Sequence, residues 1–154
     1  MLNQLKDVFA SLQEHRVKYV VIGGIAAVLH GVPRVTFDLD LLMEATEKNA
    51  KNLLRAFEKA GLGTASLITA SELLKHEITI FKDRVRIDVQ TSTPGVKFED
   101  AWKRKEVMSF QGQEFYVLSK PDLIATKRAS GREVDLEDVR LLELDTETPD
   151  ESSS

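Results

Sequence analysis

Residues 21–42 of the chain are VIGGIAAVLHGVPRVTFDLDLL, an apolar run, a glycine pair and then a second apolar run that contains two aspartates. The glycines are Gly23 and Gly24, and the aspartates are Asp38 and Asp40. A glycine pair after an apolar run is typical of a strand that ends in a tight turn. The stretch therefore predicts a strand, a turn, a short helix and a second strand that carries both aspartates.

The alternation of side chains along a strand explains how two carboxylates fit into a buried sheet. In a strand over residues 37–43, Asp38 and Asp40 share one face, and apolar side chains occupy the other. Two like charges this close are destabilising unless a positive group lies near them. The pattern predicts one face in the core and one acidic face.

A third carboxylate, Asp88, lies in the same alternating pattern within a predicted hairpin over residues 78–89. If the two strands are neighbours, Asp88 joins Asp38 and Asp40. Three carboxylates without a thiolate or histidine cluster favour a hard divalent cation such as Mg²⁺, and paired cations of this kind serve displacement at phosphorus. The alternative is a polar face exposed to solvent, with Asp88 paired to Arg86, and an Asp-x-Asp alone favours that alternative.

The glycine pair supports the first interpretation. A strand, two glycines and a short helix expose backbone N–H groups that suit a phosphate, and glycine allows a ligand to approach the chain closely. A Gly-Gly by itself indicates only a tight turn. The combination of such a turn, a carboxylate pair and a third carboxylate is far rarer.

The rest of the chain alternates helical and strand patterns. Helix 46–60 and helix 120–131 have clear caps, at Thr46 and Ser119. The order predicts an α/β (α+β) fold, with a mixed β-sheet, helices packed mainly on one side and further helices at the carboxyl end. The further elements predicted are a first helix over 2–16, strands over 19–22, 107–110 and 115–118, a helix over 98–105 and a last helix over 135–144.

Composition limits the class of protein. The 154 residues suit one domain, predicted over 1–143, followed by an acidic, disordered tail over 144–154. Without cysteine there is no disulfide, thiolate metal site or cysteine nucleophile. The net charge of −4, from 21 basic and 25 acidic residues, means that any nucleic-acid contact needs a local basic patch. No apolar run is long enough to span a bilayer, and no signal core is present, so we expect a cytoplasmic protein without membrane contact.

These motifs together resemble the nucleotidyltransferase superfamily related to DNA polymerase beta. The signature is a Gly-Gly or Gly-Ser turn, an Asp-x-Asp after about a dozen residues and a third acid on a nearby strand. The resemblance covers 19–142 and is tighter to small prokaryotic members, including the abortive-infection toxin type. The segments that carry it are Ile22 to Ala26, His30-Gly31, Arg34-Val35-Thr36, Asp38 to Leu41, Leu123 to Lys127, Gly131-Arg132, Asp135 and Asp138.

The resemblance implies transfer of a nucleoside monophosphate from a nucleoside triphosphate such as ATP to an acceptor hydroxyl. Asp38 and Asp40 would hold two Mg²⁺ ions, for which Mn²⁺ can substitute, and Asp88 would bind the ion at the acceptor. Many members carry a serine just after the glycine pair. Ile25 stands there in this chain, which leaves only backbone amides at Gly23 and Gly24 for the phosphates.

Three basic residues are further candidates for nucleotide binding, each with a structural alternative. Lys127 either faces inward to the triphosphate or extends past the core to solvent. Arg132 contacts phosphate or pairs with Asp135, itself a candidate N-cap of the last helix. Arg34 balances the carboxylates or contacts the substrate.

Three functions are consistent with these motifs. The first is a magnesium-dependent nucleotidyltransferase, as a toxin that modifies a nucleic acid such as tRNA, or a protein. The second is an inactive nucleotide-binding, antitoxin or regulatory module of the same fold. The third is a metal-dependent nuclease, which needs the acids but not the glycine turn. A partner protein or a homodimer is expected as well.

Overall fold

A mixed six-stranded sheet forms the centre of the computed structural model, which describes residues 2–147, with side chains described through residue 144. The helices are α1 (Leu2–Glu14), α2 (Gly23–Leu29), α3 (Glu47–Lys59), α4 (Ala70–Lys75), α5 (Phe98–Arg104), α6 (Lys120–Ser130) and α7 (Glu133–Glu147), with a 3-10 turn at Gly63–Leu67. The strands are β1 (Tyr19–Ile22), β2 (Leu39–Met43), β3 (Ile78–Lys82), β4 (Arg86–Gln90), β5 (Glu106–Phe110) and β6 (Gln113–Val117).

The order of the strands is β3-β4-β2-β1-β6-β5. Two pairs are parallel, β2 with β4 and β1 with β6, and the other three are antiparallel. The two hairpins predicted from sequence are β3–β4 and β5–β6, and they lie at opposite edges. The α/β fold class with a mixed sheet is confirmed.

One face of the sheet carries the main core beneath α1 and α3. Phe9 of α1 stacks on Phe115 with 4.5 Å between ring centroids, and Phe57 of α3 meets Phe81 edge to face at 5.1 Å. The opposite face is covered at one end by α5, where the Trp102 ring lies 5.2 Å from that of Tyr116. Toward the start of β2 this opposite face, called the open face below, borders a cleft, so polar side chains are accommodated there.

Local signals placed several helix ends as predicted. The Thr46 hydroxyl accepts from Asn49 N–H at the start of α3, Ser119 caps α6 in the same way, and Gly131 ends α6 with a left-handed φ of 69°. These polar caps satisfy backbone groups that the helices leave unpaired.

Strand β2 and helix α7 have boundaries that differ from the prediction in ways that matter for the site. Strand β2 begins at Leu39 rather than residue 37, so Asp38 lies in the preceding loop, where Val35 and Phe37 are each 77% exposed. Helix α7 begins at Glu133, so Asp135 lies in its first turn and is not its N-cap. The helix continues to Glu147, through the first four residues of the predicted tail; positions 148–154 lie outside the described residues.

Among the helices of residues 2–147, none combines the length and apolar character needed to cross a membrane.

Candidate active site

Two of the predicted carboxylates, Asp40 and Asp88, lie side by side on the open face of the sheet. Parallel pairing of β2 and β4 makes them register partners. Because paired residues of neighbouring strands share a face, both side chains project to the same side. On the other side of β2, Asp40 is the partner of Ile22, the last residue before the glycine pair.

The glycine turn directly abuts Asp40. Gly23 has a left-handed φ of 71°, and a β-carbon built on it would lie 2.3 Å from Asp40 Oδ2. No real contact is that short, so only glycine fits beside this carboxylate in its present position. Gly24 lies against the loop instead, where a β-carbon would meet Thr36 Oγ1 at 3.0 Å and Arg34 Nη2 at 3.1 Å.

The carboxyl of Asp40 is poised to titrate near neutrality. Burial raises its pKa first, and the charges of Asp88 and Asp38 raise it further, to about 7. Arg86 and Lys127 act in the opposite direction but do not outweigh these effects. A carboxyl whose pKa is raised by burial and by neighbouring carboxylates is typical of a site that a cation would stabilise.

Arg86 joins the other two carboxylates. Its Nε lies 2.9 Å from Asp88 Oδ1 and its Nη2 lies 3.2 Å from Asp88 Oδ2, a two-point contact. The same Nε is 3.7 Å from Asp38 Oδ2, and the Asp38 side chain is half exposed. The structure therefore contains the ion pair between Asp88 and Arg86 that was the alternative to a metal site. It also places Asp40 and Asp88 on one face of the sheet.

Opposite the carboxylates, α6 and α7 form a buried network of charges. Lys127, 4% exposed, donates to Asp135 Oδ1 at 3.2 Å and lies 2.8 Å from Asp138 Oδ2. Of the two alternatives for Lys127, the inward position is observed. Arg34 Nη1 donates to the same Asp138 Oδ2 at 2.7 Å, which ties the loop before β2 to α7.

Asp135 is the centre of this network rather than a helix cap. It accepts from Arg132 Nε at 2.9 Å and from the Ser130 hydroxyl as well as from Lys127. Burial works to raise the pKa of Asp135, but these hydrogen bonds and the Lys127 charge outweigh it and lower that pKa. Of the two predictions for Arg132, contact with phosphate or pairing with Asp135, the pairing is observed. The Arg132 side chain is nevertheless 73% exposed.

The two halves enclose a cleft of about 330 Å³. Of the eight predicted site residues, Gly23, Asp40, Asp88, Lys127 and Arg132 line it. Gly24, Arg34 and Asp38 lie around it without lining it. The remaining lining residues were not predicted as site residues from the sequence, and they are Ile22, Ile78, Gln90, Thr93, Pro94, Thr126, Ser130 and Asp135.

A signal for two of these existed in the sequence. Gln90 follows Asp88 by two residues and so shares its face, and Asp135 belongs to the terminal segment that carries part of the family resemblance. Thr93 and Pro94 come from a loop whose path no local pattern specifies. Arg84, close to Arg86 in sequence, instead donates to backbone carbonyls of α1 and of the end of α3, away from the cleft.

The chemistry of the donor set fits a hard divalent cation. Asp40, Asp88 and Asp38 offer only oxygen ligands, the type Mg²⁺ prefers, and the missing β-carbon of Gly23 lets the Asp40 carboxylate lie directly against the glycine turn. Within the described part of the chain, no three acidic or histidine side chains are already gathered closely enough to hold a metal ion. Arg86 supplies the positive charge between Asp38 and Asp88 in this arrangement.

The fold is that of nucleotidyltransferases. A crystal structure from Thermotoga maritima, described as a "putative nucleotidyltransferase", matches with a TM-score of 0.55 at 17% sequence identity, covering 92% of this chain and 89% of that one. The chain belongs to the family described as "Nucleotidyltransferase of unknown function (DUF6036)", whose model matches residues 2–148. Comparison with functionally curated proteins gave no match.

Proposed function

We propose that the protein transfers a nucleoside monophosphate from a nucleoside triphosphate to an acceptor hydroxyl, with release of pyrophosphate. The observation that carries the proposal is the pairing of Asp40 with Asp88 on parallel strands beside the Gly23 turn. Family membership supports nucleotidyl transfer in general, and the triphosphate, the metal and the acceptor are our inference.

Mg²⁺ would be held by Asp38, Asp40 and Asp88, and would supply neutralisation of the negative charge that accumulates on the phosphates. Asp88 would accept the proton of the acceptor hydroxyl. Gly23 brings the glycine turn, whose backbone amides would bind the triphosphate, directly against Asp40. Lys127 lies across the cleft and is paired with Asp135 and Asp138, and its charge acts on Asp40.

Transfer from labelled nucleoside triphosphates tests this function, with Mg²⁺ or Mn²⁺ and a panel of RNA, DNA and protein acceptors. We expect label on an acceptor with the wild type and a loss of about 10²–10³-fold in Asp40→Asn, the range found when one group that stabilises transition-state charge is removed. Equal labelling by wild type and Asp40→Asn would contradict the proposal.

A binding module without catalysis is the second candidate. Ile25 occupies the position of a phosphate-binding serine, and Arg86 already contacts both Asp88 and Asp38. Calorimetry with triphosphate and Mg²⁺ separates the candidates when it is read beside the transfer assay. Binding without transfer to any acceptor favours the module.

We further propose a toxin role, on the resemblance of the segments Ile22 to Ala26 and Asp38 to Leu41, supported by Leu123 to Lys127, to the abortive-infection toxin type. Induced expression in a bacterial host should arrest growth, and Asp40→Asn at the same protein level should not. Arrest that persists with Asp40→Asn would contradict a role for nucleotidyl transfer in toxicity.

A further inference from the structure

Strand β3 forms one edge of the sheet, and its outer side is apolar. Ile80 is the register partner of Asp88, so Ile80 and Ile78 lie on the open face, where they are 47% and 51% exposed. The edge also borders an apolar concavity of about 370 Å³, lined in part by Leu67, which is 81% exposed. An edge strand with exposed apolar side chains is a template on which another strand can pair.

The backbone of β3 presents unpaired groups at every second residue. Thr91 N–H donates to the carbonyl of Glu77, and this pair continues the register of β3 with β4. Asp83 N–H donates to the carbonyl of Val85 at the other end. Because bonded and non-bonded pairs alternate in an antiparallel ladder, the bonds to β4 fall on the odd-numbered residues of β3. The backbone groups that point outward are those of the even-numbered residues, Ile78, Ile80 and Lys82.

Two hydroxyls at this edge lack hydrogen-bond partners. Within the part of the chain that the structure describes, the buried side-chain oxygens without a partner are Thr64 Oγ1 and Thr79 Oγ1. Both threonines line the apolar concavity beside β3. A buried hydroxyl without a partner costs free energy, so these groups indicate that another molecule completes this edge.

The charges at the two ends of β3 are opposite. Lys75 ends α4 shortly before the strand, and Asp83 directly follows its last residue. If Thr79 lies opposite Thr79 of a reversed second copy, Lys75 meets Asp83 at both ends of the pairing. A register with Ile80 opposite itself would instead bring Asp83 next to Glu77. Opposite charges across strands are stabilising and like charges are destabilising, so the charges favour the first register.

We propose that the protein forms a two-fold dimer in which β3 pairs antiparallel with β3 of a second copy, with Thr79 opposite itself. Ile78 of each copy then exchanges backbone hydrogen bonds in both directions with Ile80 of the other. The two Thr79 side chains form a non-hydrogen-bonded pair, in which threonine hydroxyls bond to each other across the strands. The other opposed residues are Glu77 with Phe81 and Lys82 with His76, which counts as neutral at pH 7.

The dimer would join the two six-stranded sheets into one and place both clefts on the same side of it. Antiparallel pairing within one sheet puts the two-fold axis normal to the sheet, so the open faces coincide. The Asp88 residues of the two copies would lie three strand spacings apart, about 14 Å across the sheet. Ile78 lines the cleft, so Ile80 of the second copy would lie beside the cleft wall. The pairing needs neither triphosphate nor metal and is independent of the proposed function.

Analytical ultracentrifugation of the full chain in EDTA, over a range of protein concentrations, tests the dimer. We expect a concentration-dependent dimer for the wild type. Lys75→Glu should weaken it about tenfold, because an attraction becomes a repulsion twice in a two-fold dimer. Lys48→Glu makes the same charge change in the first turn of α3 and is the matched control, which should leave the dimer unchanged.

Addition of Asp83→Asn to Lys75→Glu should recover part of the lost affinity. Asparagine keeps a side-chain oxygen for the N–H groups of Thr64 and Arg84, which Asp83 accepts in the structure. Within one copy, β3 separates Lys75 from Asp83 by about 17 Å, which is beyond the distance at which exposed charges interact strongly. Recovery therefore reports a contact between copies.

Single cysteines test the register, because the chain has none of its own. Thr79→Cys should give a disulfide-linked dimer on oxidation, since non-hydrogen-bonded partners have Cα atoms about 4.5 Å apart. Ile80→Cys should not, because its two copies would be diagonal neighbours about 7–8 Å apart. Val107→Cys places an exposed cysteine on β5, the other edge strand, and is the control for pairing at that edge.

Four results would each overturn the proposal. They are a wild type that is monomeric at every concentration, equal effects of Lys75→Glu and Lys48→Glu, no recovery with Asp83→Asn, and linkage through Ile80→Cys or Val107→Cys instead of Thr79→Cys. A dimer without nucleotidyl transfer would contradict the proposed function alone. A monomer that transfers nucleotide would contradict this inference alone.

Discussion

At the scale of single residues, the site depends on the contact between a glycine and a carboxylate. The sequence predicts Gly23 as part of a phosphate-binding turn, but the structure adds that its missing β-carbon makes room for Asp40. No residue pattern can specify a contact between positions seventeen residues apart, because it arises only when β1 and β2 pair. The types of residue could be predicted, and their contacts could not.

Gly23→Ala is therefore expected to displace the Asp40 carboxylate. We expect a loss of activity of about a hundredfold, since misplacement of a reacting group by about 1 Å can cost that much. Gly61→Ala is the matched control, because Gly61 also has a positive φ, of 86°, and no atom lies within 4 Å of the place that a β-carbon would take. Both variants should lose about 1 kcal/mol of stability from the backbone, and equal activity in the two would contradict the role of the contact.

At the scale of elements, helices α6 and α7 are held together by buried charges rather than by apolar packing alone. The caps of α6 could be predicted because a serine, a proline and a terminal glycine are local signals. The partners of Lys127 could not, since whether a lysine turns inward depends on acids from another helix. The direction of Arg34 toward Asp138 is a contact between residues 104 apart in sequence.

Lys127→Met should destabilise the protein, because two buried carboxylates lose a shared cation. Asp135 and Asp138 keep Arg132 and Arg34 as partners, so we expect the lower end of the range for a broken buried pair, about 3 kcal/mol. Urea unfolding measures the change. Lys51→Met breaks an exposed pair with Glu47 and should cost less than about 0.5 kcal/mol.

The addition of Asp135→Asn to Lys127→Met provides an internal check. Neutralising one of the two carboxylates should recover part of the lost stability. If the double variant is less stable than Lys127→Met by the full cost of a second, independent change, the buried charges do not act as a unit.

At the scale of the whole molecule, the stability of the fold should depend on pH through Asp40. The folded protein keeps the Asp40 proton up to a pKa of about 7, whereas the unfolded chain releases it near its ordinary pKa of 3.8. The contribution of Asp40 to stability without metal is therefore most favourable below the lower value and decreases as pH rises toward the higher one. The loss is on the order of 4 kcal/mol, because each pKa unit corresponds to about 1.36 kcal/mol.

Asp40→Asn removes this loss. In EDTA, its free energy of unfolding relative to wild type should increase between about pH 4 and pH 7 and stay constant above about pH 8. Urea unfolding at about pH 5 and pH 8 measures the difference. A difference that is the same at both pH values would contradict the burial of a titrating carboxyl.

The sequence predicts the overall architecture more completely than it predicts the contacts within the site. Alternating apolar patterns predicted both hairpins and the mixed sheet, because these depend on local periodicity. The sequence pattern predicts a start of β2 two residues too early, because phenylalanine is common in strands. In the structure, Phe37 lies exposed in the loop before β2. The course of the loop through Thr93 and Pro94 depends on tertiary packing and had no local signal.

The parallel pairing of β2 with β4 also has a consequence for the time at which the protein becomes active. Asp40 and Asp88 are separated by 48 residues, and the entire segment between them must be made before the strands can pair. Contacts between such distant positions form late in folding, because the loop must close first. During synthesis the ribosome therefore exposes a chain that has its glycine turn and first carboxylates but no complete site. Under the toxin role proposed above, the nascent chain would be harmless until β4 had joined the sheet.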